Sequence, residues 1–198
     1  MNAIQHPSGT ARPLVVGIGG TVGTSTSSTE RALVLTLEAV AARGVETVMF
    51  GGEFLSRLPL YAPKAVARTD EERQFVDAVR RADGLVIASP GYHGSISGLV
   101  KNALDLLEET SRDARVYLSG LPVGLVVTAY GWQATGSTLT ALRSIVHALR
   151  GWPTPMGAAI NTSASAFAPD GACTDPNAAM QMKLVADQLV DFMTQKAA

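Results

Sequence analysis
Five short apolar runs alternate with five stretches of helical periodicity, and this alternation limits what the chain can fold into more than any other feature. The runs span residues 14–18, 45–50, 84–88, 122–128 and 156–161. The helical stretches span 28–43, 70–82, 97–110, 137–149 and 176–195. Most of the runs are apolar throughout rather than at every second residue, so both faces of each strand are expected to be covered. Only the fifth is dilute, with Gly157, Ala158 and Ala159 in its middle. Parallel strands need crossover helices, so the pattern predicts an α/β, doubly wound, five-stranded parallel sheet in the order 2-1-3-4-5. Thr69 followed by Glu72 is a capping box that marks the start of the second helix. A chain of 198 residues suits one domain. We place that domain at 13–198, behind a polar, irregular and flexible segment at 1–12.

Composition removes several classes of function. Hydrophobic residues make up 46% and charged residues 17%, the balance of a folded globular chain. A net charge of −1 lacks the basic excess of a nucleic-acid-binding domain. It is equally unlike a strongly acidic shuttle that docks on basic partners. Cys173 is the only cysteine, which excludes an intrachain disulfide and a cysteine zinc cluster and leaves a spectator thiol in a loop. His6, His93 and His147 lie in unrelated segments without metal-ligand spacing. There is no Gly-x-Ser-x-Gly elbow of a hydrolase. Glu108 with Glu109, and Asp70 with Glu71 and Glu72, read as solvated helix positions. No apolar run reaches the ~18 residues of a membrane span. Residues 1–12 lack the charged start and apolar core of a signal peptide. The expected location is the cytoplasm, with no membrane or nucleic-acid partner.

In the 2-1-3-4-5 order, strand order reverses between strands one and three, and a ligand belongs in the crevice at their carboxyl ends. The loops after both strands have unusual compositions. After strand one come Gly19, Gly20, Thr21, Val22 and Gly23, then six hydroxyl residues in succession, 24–29, opening into a helix. One hydroxyl suffices to cap a helix. Six, with the backbone N–H groups of a helix start, suit a phosphate dianion. No Gly-Lys-Ser/Thr follows, so this is not a nucleotide P-loop. The dinucleotide fingerprint also fails: the only acidic residue near the end of strand two, Glu53, lies well past it.

After strand three come Ser89, Pro90, Gly91, Tyr92, His93, Gly94, Ser95, Ile96 and Ser97, followed by an amphipathic run through Asp105. Pro and Gly shape a backbone that can lie close to a flat ring, and Tyr92 can pack against it. A lone Pro-Gly-Tyr turn is common, and a lone His93 is ordinarily a surface histidine. The full stretch from Ser89 to Asp105, in its strand-to-helix context, is far more specific. It resembles the flavin-ring loop of the NAD(P)H-dependent FMN reductase family, within the flavodoxin-like superfamily. Gly98, Lys101, Asn102 and Asp105 continue the match and read as helix-start packing and surface polar positions. Residues 58–63 resemble the leucine-proline loop of the same family.

The resemblance implies an NAD(P)H:flavin oxidoreductase that holds FMN and takes NADPH or NADH as electron donor. Backbone N–H groups near Tyr92 to Ser95 would face the part of the ring where reduction builds charge. Thr21, Thr26, Ser27, Ser28 and Thr29 are the phosphate candidates, and Pro90, Gly91, Tyr92, His93, Gly94 and Ser95 the ring candidates. The family's arginine in the phosphate loop is absent, and residues 24–29 instead resemble the hydroxyl pattern of flavodoxins. After strand four, Ala129, Tyr130 and Gly131 match the family's loop over the pyrimidine side of the ring. Trp132 and Gln133 in that loop have two open roles, contact with the ring or contact with a second subunit. No catalytic side chain is expected, because the cofactor carries the reaction and the protein positions it. Tyr92 and His93 are its candidate modulators. The implied reaction is ping-pong hydride transfer, with electrons passed to free flavin, a quinone or an azo-type acceptor. A flavin-dependent monooxygenase is a candidate recipient. The rival readings are an electron carrier that does not oxidise NAD(P)H itself, as in flavodoxins, and a partner-binding module without flavin. Family members are commonly homodimers or homotetramers, and the third and fourth helical stretches with Trp152 are candidate interface pieces. Arg57, Lys64 and Arg68, in the long connection after strand two, have two open roles, a donor 2′-phosphate or solvent.

Overall fold
A computed structural model of the chain describes residues 12–22, 27–163 and 166–197. Its elements in chain order are β1 (Leu14–Gly19), α1 (Ser28–Ala41), β2 (Glu46–Phe50), α2 (Gly52–Leu55), α3 (Asp70–Arg81), β3 (Gly84–Tyr92), β4 (Ser95–Ile96), α4 (Gly98–Asp105), β5 (Pro122–Ala129), α5 (Trp132–Ala148), β6 (Trp152–Asn161) and α6 (Pro176–Ala197). A 3₁₀ turn, Leu106–Thr110, continues from α4.

The five long strands run parallel in the order β2-β1-β3-β5-β6. The count of five strands needs correction. A sixth, β4, pairs antiparallel with the end of β3, Gly91 against Ile96 and Tyr92 against Ser95. The turn between them is two residues long, with φ of 51° at His93 and 85° at Gly94. Two positive φ values in succession define the tight hairpin turn whose twist matches that of paired strands. The ring loop expected after residue 88 is therefore mostly strand, with Pro90, Gly91 and Tyr92 in β3.

Burial follows from position in the sheet. The central strands β1 and β5 are buried along their whole length, as is β3 through Pro90, whereas the edge strands β2 and β6 are only partly buried. Side chains alternate between two cores. Val16, Leu85, Ile87, Val123, Leu125 and Val127 face Phe75, Val79, Leu104 and Leu142 on one side. Val15, Val86, Ala88 and Val126 face Leu33, Leu37, Val185 and Leu189 on the other. The sheet thus lies between α3, α4 and α5 on one face and α1 and α6 on the other, a three-layer arrangement. Two glycines let helix side chains seat directly on the sheet. A Cβ at Gly17 would lie 2.5 Å from Leu37 Cδ1, and one at Gly124 would lie 2.6 Å from Val185 Cγ1.

The capping box at α3 forms as expected: Glu72 N–H donates to Thr69 Oγ1 (3.2 Å) and Thr69 N–H to Glu72 Oε2 (2.7 Å). The fourth helix begins earlier than expected, at Trp132. Trp132 and Gln133 therefore stand on α5, not in a loop. The long connection after β2 contains α2, which periodicity missed because four residues make barely one turn. Among the described residues, no helix is long and apolar enough to cross a membrane.

Candidate active site
The carboxyl ends of β1, β3 and β5 converge. Gly19 sits beside Ala88 in register, and Pro90 beside Thr128. A groove of about 270 Å³ opens there, lined by Gly20, Thr21, Val22, Tyr92, Ser97, Gly98 and Leu99. It is small for a ligand site. Residues 23–26, which adjoin it in the chain, lie outside the described residues, and Thr26 is one of them. Two larger cavities, of about 400 and 420 Å³, lie elsewhere, one between α1 and residues 169–172, the other between the end of α3 and residues 110–117. Neither touches a carboxyl strand end, so size alone does not identify the site.

The hydroxyl loop leads into α1 through three candidates with different surroundings. Ser27 is the N-cap, its Oγ accepting the N–H of Glu30 at 3.1 Å. Ser28 is half-buried in the first turn. Thr29 is buried, and its hydroxyl meets that of Thr128 at 2.5 Å. Thr21 is half-buried on the groove wall.

The hairpin is pinned from below. The hydroxyl of buried Ser89 donates to the carbonyl of Pro90 (2.9 Å) and accepts the N–H of Ser97 (3.0 Å), and Ser97 caps α4. Gly91 must be glycine, since a Cβ would lie 2.7 Å from Thr138 Oγ1 and 2.9 Å from Ala129 Cβ. The turn thereby holds Tyr92 out at the groove, 54% exposed, with His93, Gly94 and Ser95 also exposed. The third edge is pinned by Asn161, whose Oδ1 accepts the N–H of Gly131 and of Ser163, each at 2.9 Å. Ala129 is buried, and Tyr130 and Trp132 stand out in solvent, 81% and 66% exposed.

Four side chains that the sequence reading passed over or undervalued organise this edge. Ser89 and Asn161 are two of them. Asn102, read as a surface polar residue, accepts the N–H of Tyr61 (2.8 Å) and donates to the carbonyl of Pro59 (2.9 Å), so it staples the leucine-proline loop to α4. Glu30 is the fourth. Its carboxylate accepts the N–H of Gly52, both oxygens at 3.3 Å, and the N–H of Thr21. Burial pushes its pKa above the usual carboxylate range, the two amides pull it down, and the charge of Glu53 adds to the rise. Ser27 followed three residues on by Glu30 was the available signal, because it has the form of a capping box.

Of the three basic residues in the long connection, Arg68 is held by Glu72 (3.2 Å) and Glu109 (2.8 Å) and lies over the ring of Tyr61. Arg57 sits over Phe54. Cys173 is half-buried, in an isolated bridge with Phe167, and its thiol donates to the carbonyl of Asp175. No cluster of metal-ligating side chains occurs among the described residues.

Three parallel edges meeting over a glycine-lined groove define a flavodoxin-like α/β protein. Solved structures agree on the fold. FerB, a flavoenzyme NAD(P)H:(acceptor) oxidoreductase from Paracoccus denitrificans, superposes with a TM-score of 0.73 at 22% identity, covering 91% of this chain and 97% of that one. A WrbA-like flavodoxin from Agrobacterium tumefaciens gives 0.63 at 13% identity, covering 92% and 98%. The chain belongs to the NADPH-dependent FMN reductase family, whose model matches residues 13–165. An FMN-dependent NADPH-azoreductase of Staphylococcus haemolyticus is 35% identical over 123 residues, 61% of this chain and 62% of that protein. The chain thus matches somewhat less than two thirds of that relative's length.

Proposed function
We propose that the protein is an NAD(P)H:flavin oxidoreductase that holds FMN at the carboxyl edge of its sheet. The observation that carries this reading is that Thr21, from the loop after β1, and Tyr92, from the hairpin after β3, line one groove at the strand-order reversal. The donor set fits a phosphate joined to a flat ring. It consists of loop hydroxyls, the N–H groups at the start of α1 and the exposed hairpin, and the nearby carboxylate of Glu30 is already engaged by two amides. When bound, FMN would accept hydride from a nicotinamide and pass the electrons on to a second substrate.

The chain's own residues bind and orient. Thr21, Ser27, Ser28 and Thr29 would hold the phosphate end, and Thr26, outside the described residues, is a further candidate. Pro90 to Ser95 would hold the ring, with Gly91 leaving room and the exposed Tyr92 available to pack against it. Ala129, Tyr130 and Gly131 border the other side. The name of the staphylococcal relative favours an azo-type acceptor, with a quinone, free flavin and supply of a monooxygenase as further candidates. Among the described residues, Lys64 is the one cation of the long connection without a partner, which makes it the candidate contact for a donor 2′-phosphate. Homodimers or homotetramers would pair the exposed Trp132 or Trp152 faces, and the cytoplasm is the proposed location.

The test is loss of absorbance at 340 nm with purified protein, NADPH or NADH, and excess FMN or an azo dye. Acceptor-dependent oxidation is the expected result. Bound yellow flavin without turnover would transfer the protein to the electron carriers, and a protein that stays colourless in FMN would remove the flavin reading.

A further inference from the structure
Glu30 has the position of a capping-box glutamate but is used differently. At α3, the matching Glu72 reaches back to the N–H of its N-cap residue. At α1, the Glu30 carboxylate crosses to the amides of Thr21 and Gly52, which belong to the loops after β1 and β2. Glycines in both loops leave room for it. A Cβ at Gly20 would lie 1.9 Å from Glu30 Oε2, and one at Gly51 would lie 2.4 Å from Oε1. A Cβ at Gly52 would lie 2.1 Å from the carbonyl oxygen of Thr21. One carboxylate therefore ties the groove wall at Gly20 and Thr21 to the loop after β2 and to the first turn of α1.

That first turn is where the proposed function seats a phosphate dianion, so a half-buried carboxylate would share the turn with a ligand of the same sign. We propose that Glu30 is a proton-linked positioning residue: flavin mononucleotide entering the groove drives proton uptake by the Glu30 carboxyl. This rests on the flavin reading of the same site. Burial already favours the neutral acid over the carboxylate, and a bound dianion acts in the same direction. Glu53, on α2, is the charged group whose field reaches Glu30, and it too favours the neutral form. Arg31, next in the chain, is turned away to the carbonyls of Ala168 and Pro169. By reciprocity, whatever raises proton affinity at Glu30 on flavin binding must raise flavin affinity on protonation.

The test is FMN titration of the apoprotein by calorimetry, in buffers of different ionisation enthalpy, between pH 5 and 8. The phosphate of FMN has its own proton step near pH 6, so the quantity read is the difference between wild type and Glu30→Gln. The amide of glutamine keeps a carbonyl acceptor for the loop and cannot titrate. The expected result is proton uptake by wild type that Glu30→Gln lacks. Wild-type affinity should also gain about three- to tenfold relative to the variant as pH falls across this range. Glu30→Ala, which leaves both amides without an acceptor, should bind FMN more weakly than Glu30→Gln at every pH. Equal proton uptake in wild type and Glu30→Gln, with FMN bound by both, overturns the inference and leaves the flavin reading standing. Failure of the wild type to bind FMN removes both.

Discussion

The hydroxyl pair Thr29–Thr128 offers a sharp test of how the site is held together. Thr29 lies in the first turn of α1 and Thr128 near the end of β5, 99 residues apart in the chain, and their oxygens meet at 2.5 Å. Thr29 is 2% exposed and Thr128 4%, so water is poorly placed to replace either partner. Thr128→Val keeps the shape and leaves the Thr29 hydroxyl facing a methyl group. An unpaired buried hydroxyl costs about 1–3 kcal/mol, more than the same bond contributes when made. For a chain of this size, 2 kcal/mol lowers the melting temperature by about 4–8 °C. Thr29→Val should cost a similar amount, since Thr and Val differ little in helix propensity. The double variant removes both polar groups together and should lose well under the sum of the two single losses, with a coupling of at least about 1 kcal/mol. Urea unfolding of the flavin-free protein reads all four corners of the cycle. Single variants within about 0.5 kcal/mol of wild type, or strict additivity in the double, would refute the reasoning.

Other expectations follow from individual contacts. Gly91→Ala should weaken both folding and flavin binding, because its Cβ meets Thr138 and Ala129 under 3 Å, whereas Gly98→Ala, with open space around it, should be neutral or stabilising by up to about 1 kcal/mol; paired thermal melts and flavin titrations separate them. Arg68→Ala removes the partner of a nearly buried Glu72 and of Glu109 and should destabilise by about 1–3 kcal/mol in urea unfolding. Burial holds the Glu30 pKa above its ordinary 4.5, so its stabilising contribution is complete below that pH and is lost as pH rises through the folded value. The stability of wild type relative to Glu30→Gln should therefore decline over that rise, and a pH-independent difference would contradict the assignment.

The parallel sheet was legible because its central strands are covered on both faces, and the unbroken apolar runs in β1, β3 and β5 record that cover. The hairpin was not. Apolar periodicity ends at Ala88, and the strand continues through Ser89, Pro90, Gly91 and Tyr92 on backbone pairing alone. The signal for it was local: His93 and Gly94 form a two-residue turn, and Gly at the second position tolerates positive φ. The early start of α5 was masked for a related reason. Residues 132–137 include Gly136 and three polar residues, which dilute the pattern although their backbone is helical.

Glu30, Ser89, Asn102 and Asn161 share one property that explains why the site was only half legible. Each accepts hydrogen bonds from backbone N–H groups that are distant in the chain or follow a turn, and none contributes to an apolar pattern. Sequence spacing reports neighbours one turn of helix or two strand residues apart. It is silent about a carboxylate that leaves its own helix cap for the next loop. Ligand-facing residues sit on loops, where composition stands out, while the residues that fix those loops are dispersed. Ser27 and Glu30 make the point within one helix. The pair has the spacing of Thr69 and Glu72, yet Glu72 caps its helix and Glu30 does not. The physical difference is the glycine-bared space at Gly20 and Gly51, which gives the carboxylate somewhere better to go. A capping-box glutamate that faces paired glycines in two neighbouring loops is therefore a readable sign of a positioning residue, and the Glu30→Gln comparison tests that rule directly.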